Sequence, residues 1–128
     1  MRKFSFLVLF LLGNIGFAQT TFEKWPAIKT FHEVISQTFH PAEEGNLEPI
    51  KSRSKELAQK AEAINKSEIP AEFKTKEIIV AAENLQIQSW ALHKKIKLGA
   101  TDEEILKMLT ALHETFHQIV GLCTKEKH

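Results

Sequence analysis

Six histidines stand among 128 residues, and their spacing is the feature of this sequence that can do chemistry. His113 and His117 are four positions apart. On a helix, that spacing projects both imidazoles from one face, one turn apart, where they can reach a single metal ion. His32 and His40 lie in an earlier apolar segment, and His93 lies in a third one. Glu33 follows His32 and Glu114 follows His113. A carboxylate there can orient the imidazole, bind the metal itself or face solvent. Cys123, the only cysteine, has two readings. It is either a small buried hydrophobe or a thiol that a turn after Gly121 folds back towards His117. Nitrogen-rich sites suit Zn, Cu and Ni. With so few thiols and thioethers, a dedicated Cu(I) store is not expected. The bland alternative is that each histidine is a hydrogen-bonded residue at the border of an apolar stripe.

Four amphipathic helices are predicted to carry these residues. The first runs from Trp25 to Phe39, with Ile28, Phe31, Val34, Ile35 and Phe39 at helical spacing, and His40-Pro41 as its stop. The second runs from Leu47 to Asn65, with the stripe Leu47, Ile50, Ser54, Leu57, Ala61 and Ile64. The third runs from Ala71 to Leu98 along Ile78, Ala82, Leu85, Ser89, Leu92 and Ile96, and Gly99 follows as a cap. The fourth begins at a capping box, Thr101 with Glu104, and Gly121 is expected to end it. Thr20 to Lys24 reads as a polar lead and Thr124 to His128 as a frayed tail. Strand signals are missing. The fold class expected is therefore all-α, an antiparallel up-down-up-down four-helix bundle.

Such a bundle brings the histidines near one another. If residue 25 faces residue 122 in the antiparallel first and last helices, His32 faces position 115, midway between His113 and His117. His40 then falls near position 107, roughly 9 Å from His113 at the helical rise. Across the turn between the third and fourth helices, where opposed positions sum to about 199, His93 falls near position 106, so His40 and His93 could form a second pair or His40 could reach up as a fourth ligand. A short echo runs through the same helices: Thr38-Phe39-His40 matches Thr115-Phe116-His117.

The ends and the charge set the compartment. Arg2 and Lys3 precede the apolar run Phe4 to Leu12, and Gly16-Phe17-Ala18 supplies small residues before Gln19. That is the pattern of a secretory signal peptide, too short to span a bilayer. Residues 1–18 are expected to be removed, leaving 19–128 as one domain in the periplasm or secreted, with no stable membrane insertion. The chain has 17 basic and 16 acidic residues. Without Arg2 and Lys3 the counts are 15 and 16, which gives no basic excess for nucleic acid. A single cysteine cannot make an internal disulfide, so an apolar core, a bound ligand or both must hold the fold.

Three resemblances follow from these residues. His113-Glu114-Thr115-Phe116-His117 resembles the H-E-x-x-H motif of zinc metalloproteases, which would make Glu114 the general base. The motif lies eleven residues from the last residue, with no following helix for a third ligand, and no enzyme is expected. Glu114-Thr115-Phe116-His117 is similar to one E-x-x-H half of the ferritin-like di-iron bundles, but the second half is absent. Over residues 19–128 the chain resembles the periplasmic four-helix-bundle cytochromes of the b and c′ types, and it is similar to periplasmic metal-sensing and metal-resistance bundles. The cytochrome resemblance implies non-covalent haem b on His117 or His113, since there is no C-x-x-C-H, with His32 opposite. The second fits the leading expectation from the histidine spacing itself, a transition metal buffered, carried or sensed at His32, His113 and His117, with His40 next and His93, Glu33, Glu114 and Cys123 around them. A homodimer and a metal-transport protein are both open as protein partners. The remaining alternative is a metal-free structural or interaction bundle.

Overall fold

The apolar stripes do form helices, and each is buried on its striped side. The computed structural model describes residues 19–125; the expected signal peptide, 1–18, and residues 126–128 lie outside them. The long helices are α1 (Pro26–Glu43), α2 (Glu48–Lys66), α3 (Lys76–Lys97) and α4 (Asp102–Lys125), with a 3-10 turn at Ala71–Phe73 and no strand among the described residues. Ile28, Phe31 and Ile35 of α1 meet Ile50, Leu57 and Ile64 of α2, Ile78, Leu85 and Leu92 of α3, and Ile105, Leu109 and Leu112 of α4 in one core. Two buried hydroxyls within it are satisfied by their own helices: Thr38 Oγ1 donates to the Val34 carbonyl at 2.9 Å and Ser89 Oγ to the Leu85 carbonyl at 2.7 Å.

Consecutive helices pack along their lengths, and α1 also meets α4 along a narrower seam, so the four make a helical bundle. Contacts between α2 and α3 pair Ser54 with His93 and Asn65 with Gln86. Those between α1 and α4 pair Phe31 with Phe116 and Phe39 with His113. No described helix is long and apolar enough to cross a membrane.

The links follow local chemistry. Gly45 (φ +96°) and Gly99 (φ +83°) take the left-handed backbone that turns the chain after α1 and α3. Thr101 Oγ1 accepts from the Glu104 amide at 3.2 Å, which is the expected cap of α4. Thr75 does the same for α3, accepting from the Ile78 amide at 3.2 Å.

Four expected boundaries are corrected. α1 does not stop at His40-Pro41 but runs on to Glu43. Ala42 and Phe39 are buried there, and the Pro41 carbonyl accepts from the Glu44 and Asn46 amides, which closes the end of the helix beyond the proline. The third helix does not begin at Ala71: Phe73 is drawn fully into the core by the 3-10 turn, and α3 starts after the Thr75 cap. Gly121 does not end α4, which continues to Lys125 and buries Cys123 completely. Nothing lies within 4 Å of the place a Cβ would take at Gly121, so its lack of a side chain is not forced by packing. The polar lead is helical over 19–24. Its Thr21 carbonyl accepts from the Trp25 amide at 2.9 Å, and the buried Trp25 indole donates to Ser67 Oγ at 2.9 Å.

Candidate metal centre

α4 presents His113 and His117 one turn apart on the side facing α1. Their ring centroids are 4.4 Å apart and their planes are nearly perpendicular, at 84°. Phe116, the residue between them in register, turns inward and is buried against Phe31 with centroids 5.0 Å apart. That inward phenyl fixes the azimuth of the helix, and with it the outward direction of His117, which is exposed. His113 is half-buried because its ring lies flat on Phe39 of α1, 3.8 Å between centroids and 11° between planes. A flat stack covers the face of the imidazole and leaves its in-plane nitrogens at the edge. Neither ring makes a hydrogen bond among the described residues, whereas the rings of His32 and His93 do.

His32 is near but aimed elsewhere. Its ring packs between Phe22 (4.9 Å) and Phe116 (5.9 Å), and its Nε2 lies 3.3 Å from Ser36 Oγ, one turn along its own helix. His40 is exposed, 3.6 Å from the Glu43 carboxylate. The expected pair of His40 with His93 is not formed. His93 lies between α2 and α3, its Nδ1 2.9 Å from Ser54 Oγ and its ring edge-on to Trp90. Cys123 is six positions beyond His117 on an unbroken helix, so its thiol turns into the core and does not fold back. Glu114 is exposed on α4. Glu33 is exposed on α1 and borders a cleft beside His32.

Electrostatics nevertheless tie four of these imidazoles together. Burial pushes His113 below the ordinary histidine value of 6.5, the neighbouring His117 pushes it further, Glu43 pulls the other way, and His40 and His32 add to the lowering. Burial likewise lowers His32, followed by His117, with Glu33 opposing and His40 adding. His93 is lowered by burial and then by Lys97 and Lys55, a separate environment. His32, His40, His113 and His117 thus share a field without sharing a coordination sphere. Among the described residues no three His, Cys, Asp or Glu side chains gather into a group able to hold a metal ion.

Beside the pair, between α1, α4 and the helical lead, opens a cleft of about 610 Å³. Phe22, Phe116 and Val120 line its apolar part, His32 and His117 stand on its walls, and Lys29 and Glu33 are at its border. Sequence reasoning missed Phe22 and Ser36, and it placed Phe39 in the core without its stack on His113; these residues decide where the imidazoles point. The repeated Phe-His dipeptides at 39–40 and 116–117 were the available signal, since each puts a phenyl inward and an imidazole outward. Phe22 sat in a stretch that reads as polar and carried no such signal. Comparisons of the chain with protein-family models, curated proteins and solved structures find no match.

Proposed function

We propose that this chain is an exported helical bundle that binds a divalent transition metal (Zn, Cu or Ni) through His113 and His117, to buffer, carry or sense it. In this reading residues 1–18 are a cleaved signal peptide, the four helices alternate up-down-up-down, and the protein works in the periplasm or outside the cell. The observation that carries it is the His113–His117 pair itself: two rings 4.4 Å apart on one helix face. One ring is kept below the ordinary histidine pKa by burial, so it offers a neutral nitrogen at neutral pH. Glu114 stands next to the pair on the same exposed helix and is read as a solvent-facing carboxylate, not as the base of a hydrolase. A metal-transport protein is the partner such a role implies.

The test is calorimetric titration of zinc and copper into the protein made without a histidine tag. H113A and H117A are each expected to lose most of the affinity, at least tenfold, while the far-ultraviolet dichroism stays helical. Undiminished binding in both variants would sink the assignment.

The cleft favours a second reading, non-covalent haem b. Its apolar lining has two imidazoles on opposite helices, His32 and His117, which are the residues that bis-histidine ligation would use. Addition of haemin followed by a visible spectrum separates the two. A Soret band that H32A and H117A both abolish would move the protein to the haem reading.

A further inference from the structure

The metal site of one chain is half a site. His113 and His117 supply two nitrogens, and the other nearby candidates are committed elsewhere. The His32 ring is held between Phe22 and Phe116 with Nε2 turned to Ser36. His40 is beside Glu43, and the Cys123 thiol is in the core. No third ligand from the same chain converges on the pair among the described residues. Zinc in a closed site takes four ligands in a tetrahedron. Two copies related by a two-fold axis each supply the same patch to the other, so two imidazole pairs make four.

We propose that zinc joins two copies of this chain through His113 and His117 of each, one ion per two chains. The inference rests on the metal reading above. Three features of the structure suit it. The pair lies on the outside of the bundle, since His117 is exposed and His113 half-buried, and a second helix can approach without disturbing the core. The neighbouring residues on α4, Glu114 and Gln118, are exposed and polar, so on that side of the pair the metal and not apolar surface would hold the contact. The net charge is +1 for the whole chain and −1 without Arg2 and Lys3, so two copies meet without strong repulsion. Protonation of the imidazoles competes with the ion, and the charged or titratable groups around the pair are Lys29, His32, Glu33, His40 and Glu43 on α1, Glu114 on α4 and Glu23 on the helical lead.

The experiment is sedimentation velocity of the full chain with increasing zinc, beside a direct zinc titration. The mass is expected to double, the change to be complete at half an equivalent of zinc, and a chelator to reverse it. H117A and the more conservative H113Q are expected to stay monomeric at the same zinc concentration with unchanged helicity. Zinc bound one-to-one by a monomer would overturn the bridged dimer and leave the metal reading standing. A dimer that persists in both variants would overturn it too, because the contact would then lie elsewhere. No zinc uptake at all would remove the metal reading and this inference with it.

Discussion

The side chains that matter to function are governed by their aromatic neighbours. His113 is shielded from water by Phe39 and its charged form is disfavoured by burial and by His117. A base whose folded pKa lies below its unfolded value binds more protons when unfolded, so stability rises with pH across the interval between the two. His32, His93 and His113 are all lowered from 6.5, so their contribution is complete above that pH and is lost as the pH falls through the folded values. The melting temperature is expected to be level above about pH 7 and to drop as the pH falls below about 6.5. Melts across that range for the native chain and for H113Q check this, the variant giving a shallower fall. Phe39→Ala is expected to cost about 3–5 kcal/mol, as a buried phenyl does. It should also return His113 towards its ordinary pKa, which a histidine proton titration by NMR would read. A His113 that titrates unchanged in F39A would mean that the phenyl is not the source of its burial.

At the level of helices, the ends are held by single side chains and by glycine. The amide of Glu104 depends on Thr101 Oγ1 and that of Ile78 on Thr75 Oγ1. Removal of either hydroxyl, T101A or T75A, should lower stability by about 1 kcal/mol. Gly99→Ala meets open space but must hold φ near +83°, so the expected loss of about 1–2 kcal/mol is a backbone cost and not a clash. Urea melts of the three variants compare them directly, and a G99A protein as stable as the native chain would show that the turn has another conformation open to it. The two helix ends that ran past their expected stops share a cause. A break residue ends a helix only when nothing beyond it needs burying. Past Pro41 lies Ala42 and past Gly121 lies Cys123, both buried, and the helices continue to cover them.

Across the whole molecule, the seam between α1 and α4 is narrower than the contacts between consecutive helices, and it is where the four coupled imidazoles lie. An ion bound there, close to both helices, stabilises the native state by mass action. Zinc at 100 times its dissociation constant should add about 2.7 kcal/mol, seen as a raised melting temperature that a chelator cancels. No rise under those conditions, with binding established, would mean that zinc binds the unfolded chain as well. Trp25 is a second whole-molecule tie, joining the start of α1 to the end of α2 through Ser67. Ser67→Ala strands a buried indole N–H, with an expected cost of about 1–3 kcal/mol in the same melts.

The sequence by itself determined that the described chain is helical and which residues form its core. Ile28, Phe31, Leu57, Leu85 and Leu112 recur at a helical period and must be covered on one side, whatever their partners. It also put His113 and His117 on one face, because a four-residue spacing does that on any helix. Only the tertiary structure decided how the other histidines are used. The direction of an imidazole is a matter of rotamer and of what packs on its faces, and those contacts come from residues far apart in the chain. Phe22 and Phe116 hold His32 towards Ser36, Phe39 covers His113, and Ser54 takes His93 into a different interface. Axial arithmetic could place positions 32 and 115 at one level, but level alone does not aim a nitrogen.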